Sequence, residues 1–209
     1  MTRRILSSFA ALVALVLFAA PMAQAQAQQD FSQVQIKTTK LGTNYYTLDG
    51  QGGTIGVLTG PDGVLMVDAQ FAPLSDKIIA AIKQISDGRI RYLVNTHVHG
   101  DHTGGNENIA KTGATIFARE NLRARLIKPA PGANGQPPPP APPMALPVVT
   151  FDAPITFHMN GEDAQLIPVP LAHTDGDTMV YFPNANAIMT GDSTARPATR
   201  TSIAPTAAR

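Results

Sequence analysis

The chain has no cysteine and no tryptophan among its 209 residues. Without cysteine there is no disulfide scaffold, no thiolate zinc finger, no thiol nucleophile and no metal site that needs a thiolate. Charge is sparse as well. Charged residues make up 15% of the chain, the net charge is +1, and lysine and arginine form no run. Recognition of nucleic acid requires a basic patch or stripe, so that class of partner is excluded. The apolar run Phe9–Ala20 falls short of the ~20 residues that span a bilayer. A small-molecule substrate stays open. Nothing in the sequence sets an oligomeric state.

Residues 1–25 have the layout of a secretory signal: Arg3 and Arg4, then the apolar run, then Pro21 and the small-residue cleavage site Ala23-Gln24-Ala25. Cleavage removes two positive charges and implies a periplasmic or secreted protein with no membrane attachment. The length that remains suits one sizeable core and is short for two domains. Short strands are expected at Val34–Lys37, Asn44–Leu48, Thr54–Thr59 and Val64–Val67. Gly60-Pro61-Asp62-Gly63 should close the last two as a hairpin. Apolar residues at 74, 78, 79, 82 and 85 predict a helix over Leu74–Ile85. A strand over Ile90–Val94, a short helix over Asn106–Ala110, a strand over Ala114–Phe117 and a helix over Glu120–Ile127 follow. Alternating strands and helices imply an α/β layered domain. Nine of the 18 prolines lie in Pro129–Pro147, which should form a surface loop or a flap over the site. Beyond it come strands at Val148–Phe151, Ile155–Met159, Ala164–Val169, Met179–Phe182 and Ala187–Thr190.

The chemistry is concentrated in Thr96-His97-Val98-His99-Gly100-Asp101-His102-Thr103-Gly104-Gly105-Asn106. Three of the five histidines fall within six residues. In an extended segment His97 and His99 point to one side and can share one metal ion. Gly100 then lets the chain turn, and Asp101 and His102 face a neighbouring position where a second cation could sit. Imidazole with carboxylate and no thiolate suits zinc. A polar loop whose histidines cap backbone groups would be ordinary for one histidine but not for three. The cluster follows a strand, where α/β folds commonly place their sites.

This pattern closely resembles that of the metallo-β-lactamase superfamily. The resemblance implies an α/β fold, the αββα four-layer sandwich of two facing sheets with helices outside, and a site at one edge between the sheets. It implies that His173, in Leu171-Ala172-His173-Thr174-Asp175-Gly176, is the third ligand of the first metal beside His97 and His99. Asp192, after Ile188-Met189-Thr190-Gly191, would bridge both metals, while Asp101 and His102 would serve the second. Asp68 would support the histidine loop from behind the ligands. His158 lies at an alternating strand position and is expected to be exposed. The implied activity is zinc-dependent hydrolysis, with one or two Zn2+ ions and metal-bound hydroxide attacking an ester, lactone, thioester or β-lactam carbonyl. Asp101 would orient the nucleophile or carry its proton. Asp192 gives the set a glyoxalase II character, and the missing cysteine excludes the lactamases that use a thiolate.

The sequence departs from the family in two places. No histidine follows His173, so the last expected ligand of the second metal is missing. Residues 193–209 contain one large apolar side chain, Ile203, and no acid. They read as an irregular tail translated out of frame. The expectation is therefore a domain over 26–192 whose second half is incomplete, with a non-catalytic remnant that binds at most one zinc or misfolds as the alternative reading.

Overall fold

The computed structural model describes residues 29–132 and 135–193. The signal-like segment before residue 29 and the tail from residue 194 lie outside the described residues, so the structure does not bear on those two expectations. Contacts divide the chain at Asp30, and the fold below belongs to the unit that starts at Phe31.

Seven strands form the first sheet in chain order: β1 (Lys37–Lys40), β2 (Tyr45–Asp49), β3 (Ile55–Leu58), β4 (Val64–Val67), β5 (Ile90–Val94), β6 (Thr115–Ala118) and β7 (Val149–Thr150). The first four pair antiparallel and the last four parallel. The parallel pairs require crossovers, supplied by α1 (Ser75–Lys83), by α2 (Gly100–Thr103) with α3 (Asn106–Ala110), and by α4 (Glu120–Ile127). The second sheet is antiparallel, in the order β11 (Ala187–Met189), β10 (Thr178–Phe182), β9 (Glu162–Pro168), β8 (Ile155–Met159).

Alternation along the strands sorts the apolar residues into two cores. Val64 and Met66 of β4 face one way, with Leu93, Ile78, Ile82 and Ile109, and pack the helices onto the first sheet. Leu65 and Val67 face the other way, with Tyr45, Leu58, Leu166, Val180 and Phe182, and join the two sheets. The order is therefore helices, sheet, sheet. On the outer face of the second sheet, Ile167 pairs with Met179 and Tyr181 with Ile188, all half-buried. Among the described residues no helix covers this face.

The structure corrects several predicted elements. The first strand begins at Lys37, not Val34, because Lys77 holds the preceding turn by donating to the carbonyls of Phe31, Ser32 and Val34. The helix predicted over Leu74–Ile85 is a 3₁₀ turn at Ala72–Leu74 followed by α1. Gly100–Thr103, expected only as a turn, forms one short helix. The proline segment packs back on the helices. Asn106 donates to the Ala145 carbonyl, Arg123 to the Pro147 carbonyl, and Ala141 N–H to Leu126. Those contacts favour the surface-loop reading over the flap.

Candidate metal centre

The site collects at the carboxyl ends of β4 and β5 and at the ends of β9 and β11. β4 ends at Asp68, whose left-handed backbone (φ 65°) swings its side chain under the histidine loop. Asp68 Oδ1 accepts the Thr96 N–H at 2.7 Å. Oδ2 accepts the Thr96 hydroxyl at 2.7 Å and lies 2.7 Å from His102 Nδ1. The same loop is tied across the sheets by Thr178 N–H, which donates to the Thr96 carbonyl.

Two glycines allow the close fit behind the cluster. A Cβ at Gly105 would strike the Ala69 carbonyl, and one at Gly53 would strike the His102 ring itself. Gly104-Gly105 thus brings α2 and α3 against residues 69–71, and Gly52-Gly53 lies directly on Asp101 and His102.

His97, His99 and His173 converge. Their rings stand nearly perpendicular, 4.8–4.9 Å between centroids, and His173 Nε2 lies 3.0 Å from His99 Nδ1. The ligating atoms of the three histidines lie within 4.8 Å of one another, and so do those of His97, His102 and Asp192. Asp192 sits between the groups, 3.5 Å from His102 Nε2, 3.7 Å from His173 Nε2 and 3.9 Å from His97 Nε2. Asp101 stands 3.7 Å from His102 Nε2, partly exposed, outside both groups. His158 is on the exposed face of β8, paired with Asp163.

The electrostatics divide the rings. Burial, together with the charge of His102, lowers His97 to about 4, so the ring is neutral at pH 7. Burial and His173 also lower His99. For His102 burial works the same way, but the charge and hydrogen bond of Asp68, with Asp101 and Asp192, outweigh it and raise the ring to about 9. His97 and His102 are almost wholly buried, and the Nε2 of each has no hydrogen-bond partner. A buried ring nitrogen without a partner is costly; neutral His97 can offer its lone pair to an ion, and at His102 an ion would displace the Nε2 proton. Two such atoms aimed at one space, among two further histidines and a carboxylate, fit a divalent metal.

The histidine loop is held firmly on its far side. Asp177, 1% exposed, accepts the N–H groups of His173 and Thr174 at 2.7 and 2.9 Å and the Thr174 hydroxyl. From α4, Arg125 pairs with Asp175 at 2.8 Å and Asn121 donates to the Asp175 carbonyl. Sequence reasoning assigned no role to Asp177, Thr96 or Gly53. Asp177 and Thr96 lie beside the ligands in the motifs, but only the folded contacts show what they hold. A groove of about 640 Å³ opens on the other side, between Lys37 and Asp49, the Gly52-Gly53 turn, Asp101, and the strand end Ile188–Asp192.

The family model of the metallo-beta-lactamase superfamily matches residues 48–205. A hydroxyacylglutathione hydrolase of Methylococcus capsulatus is 29% identical over 106 residues, 50% of this chain and 34% of that protein. A linear primary-alkylsulfatase of a Pseudomonas species is 32% identical over 78 residues, 34% of this chain and 15% of that one. Among solved structures, a metallo-beta-lactamase of Cronobacter sakazakii matches with a TM-score of 0.61 at 20% identity, over 76% of this chain and 60% of that one. A beta-lactamase of Chitinophaga pinensis matches with a TM-score of 0.62 at 19% identity, over 76% and 61%. The chain spans about a third of the length of that hydroxyacylglutathione hydrolase and about three fifths of these solved structures.

Proposed function

This chain belongs to the metallo-beta-lactamase superfamily, and on that premise we propose that it is a zinc-dependent hydrolase of a carbonyl substrate: an ester, lactone, thioester or β-lactam. The observation that carries the reading is the pair of buried, unpartnered Nε2 atoms of His97 and His102, set among His99, His173 and Asp192. In this reading His97, His99 and His173 hold one ion. His102, Asp101 and Asp192 serve the adjoining position, with Asp192 reaching both. An ion there supplies Lewis acidity and acidifies the water it binds.

The remaining work falls to the chain itself. Asp101 stands on the wall of the groove with about a third of its side chain exposed, where it can orient the attacking water or take its proton. Ile188 and Met189 offer an apolar surface along the same groove, and Lys37 a positive charge at its far side. The curated relative named a hydroxyacylglutathione hydrolase makes an acyl thioester the first substrate to try. The signal-like Met1–Ala25 supports a periplasmic or secreted address for this chemistry.

The test is zinc stoichiometry on the purified chain together with turnover of an acyl thioester, a lactone, an aryl ester and a β-lactam. The expected result is bound zinc, hydrolysis of at least one substrate, and loss of both in His97→Ala. Bound zinc with no turnover would replace this reading by that of a non-catalytic zinc binder. No bound zinc would overturn the hydrolase reading and leave the non-catalytic remnant.

A further inference from the structure

We propose that Thr96 is a positioning residue whose hydroxyl transmits the orienting effect of Asp68 to His97, so that one carboxylate oxygen fixes the Nδ1 proton of two rings. The argument is a count of protons. An ionised carboxylate only accepts hydrogen bonds. Asp68 Oδ2 therefore takes the hydroxyl proton of Thr96, 2.7 Å away, and the Nδ1 proton of His102, also at 2.7 Å. A hydroxyl has one proton. With that proton committed to Asp68, Thr96 Oγ1 can offer only a lone pair to His97 Nδ1, which lies 3.1 Å away. His97 Nδ1 must then carry the ring proton, and Nε2 is left bare. That is the buried Nε2 without a partner, and its lone pair is then free for a metal ion.

The position of Thr96 makes the relay rigid. Its N–H is held by Asp68 Oδ1 and its carbonyl by Thr178 N–H, so the residue is pinned to both sheets. The residue itself is almost wholly buried. Gly191, with φ 52°, passes close enough that any Cβ there would crowd Thr96 Oγ1. The strand end that carries Asp192 thus leaves the hydroxyl its room. Among the described residues the Thr96 hydroxyl is the side-chain partner of His97 Nδ1; without it, Asp192, 3.9 Å from Nε2, favours the other tautomer. Partners of this kind, behind a ligand, commonly change metal affinity 10–100-fold.

The inference rests on the metal reading above for its effect on affinity, but not for its effect on the ring. The experiment therefore has two readouts on the full chain. The first is the His97 tautomer in metal-free protein, from ring 15N shifts and their couplings to carbon-bound protons. The second is zinc affinity by chelator competition. Wild type should show His97 protonated at Nδ1. Thr96→Val should give a mixture of tautomers and about 10–100-fold weaker zinc binding, and Thr96→Ser should restore both. Thr96→Ala, which removes the hydroxyl without setting a methyl against Asp68, gives the same comparison should the valine variant not fold. The proposal is overturned if the valine or alanine variant keeps His97 protonated at Nδ1, or if the serine variant fails as the valine variant does. A wild type that binds no zinc would sink the proposed function while the tautomer comparison still decides the role of Thr96.

Discussion

At the scale of single residues, the site is set as much by missing atoms as by ligands. Gly53 rests on the face of His102, and Gly52 on Asp101. Gly53→Ala drives a Cβ into a buried ring that is also pinned by Asp68. Overpacking of this kind costs typically 1–3 kcal/mol. The ring must move, and with it the nitrogen that faces Asp101 and Asp192. Gly53→Ala should therefore lower the melting temperature and bind less zinc than wild type, with the adjoining position emptied before the three-histidine group. Gly100→Ala is the control, because a Cβ there meets nothing within 4 Å. Equal zinc stoichiometry in the two variants would refute the role given to Gly53. Asp68, by contrast, is visible in the sequence as a carboxylate directly after an apolar strand. Gly53 is not, since nothing in its neighbours Gly50-Gln51-Gly52 indicates that this turn reaches residues 101–102.

At the scale of elements, the loop between β9 and β10 decides whether His173 arrives. It has two kinds of support. Asp177 is buried and satisfies two backbone N–H groups and a hydroxyl. The Arg125–Asp175 pair is largely in solvent, and exposed pairs contribute about 0–1 kcal/mol. Asp177→Ala leaves part-buried donors unpaired, toward the low end of the ~1–3 kcal/mol that buried ones cost, and frees the turn that carries His173. Thermal unfolding and zinc titration should show a clear loss in Asp177→Ala and little change in Arg125→Ala. The reverse order would mean that α4, not the turn, holds the loop. The elements themselves were largely legible, since alternation in Val64–Val67 and Met179–Phe182 assigns both cores. Their edges were less so. Short helices such as Gly100–Thr103 have no apolar period of their own. They form because Gly104 and Gly105 press them onto residues 69–71. The pairing of His173 and Asp192 with the earlier histidines came from resemblance, because contacts that distant along the chain leave no local pattern.

At the scale of the whole molecule, the two buried rings titrate in opposite directions, and that sets how metal-free protein should respond to pH. His97 falls from 6.5 to about 4, chiefly through burial. Between those values the unfolded chain binds the extra proton, so stability is lost as pH falls through that window. His99, also lowered by burial, adds to the acid limb. His102 runs the other way. Burial opposes its charge, but Asp68, Asp101 and Asp192 raise it from 6.5 to about 9. Here the folded chain holds the extra proton. Its contribution is complete below about 6.5 and is lost as pH rises through about 9. The melting temperature of chelator-treated protein should therefore pass through a maximum near pH 6.5 and decline on both sides. Zinc competes with the proton at His102 Nε2, so saturating zinc should abolish the alkaline decline and steepen the acid one. Unfolding scans from pH 5 to 9.5, with and without zinc, read both limbs. An alkaline limb that is flat without zinc, or unchanged by it, would mean that His102 is not held charged by the three carboxylates. The second position would then lose the electrostatic basis argued for it.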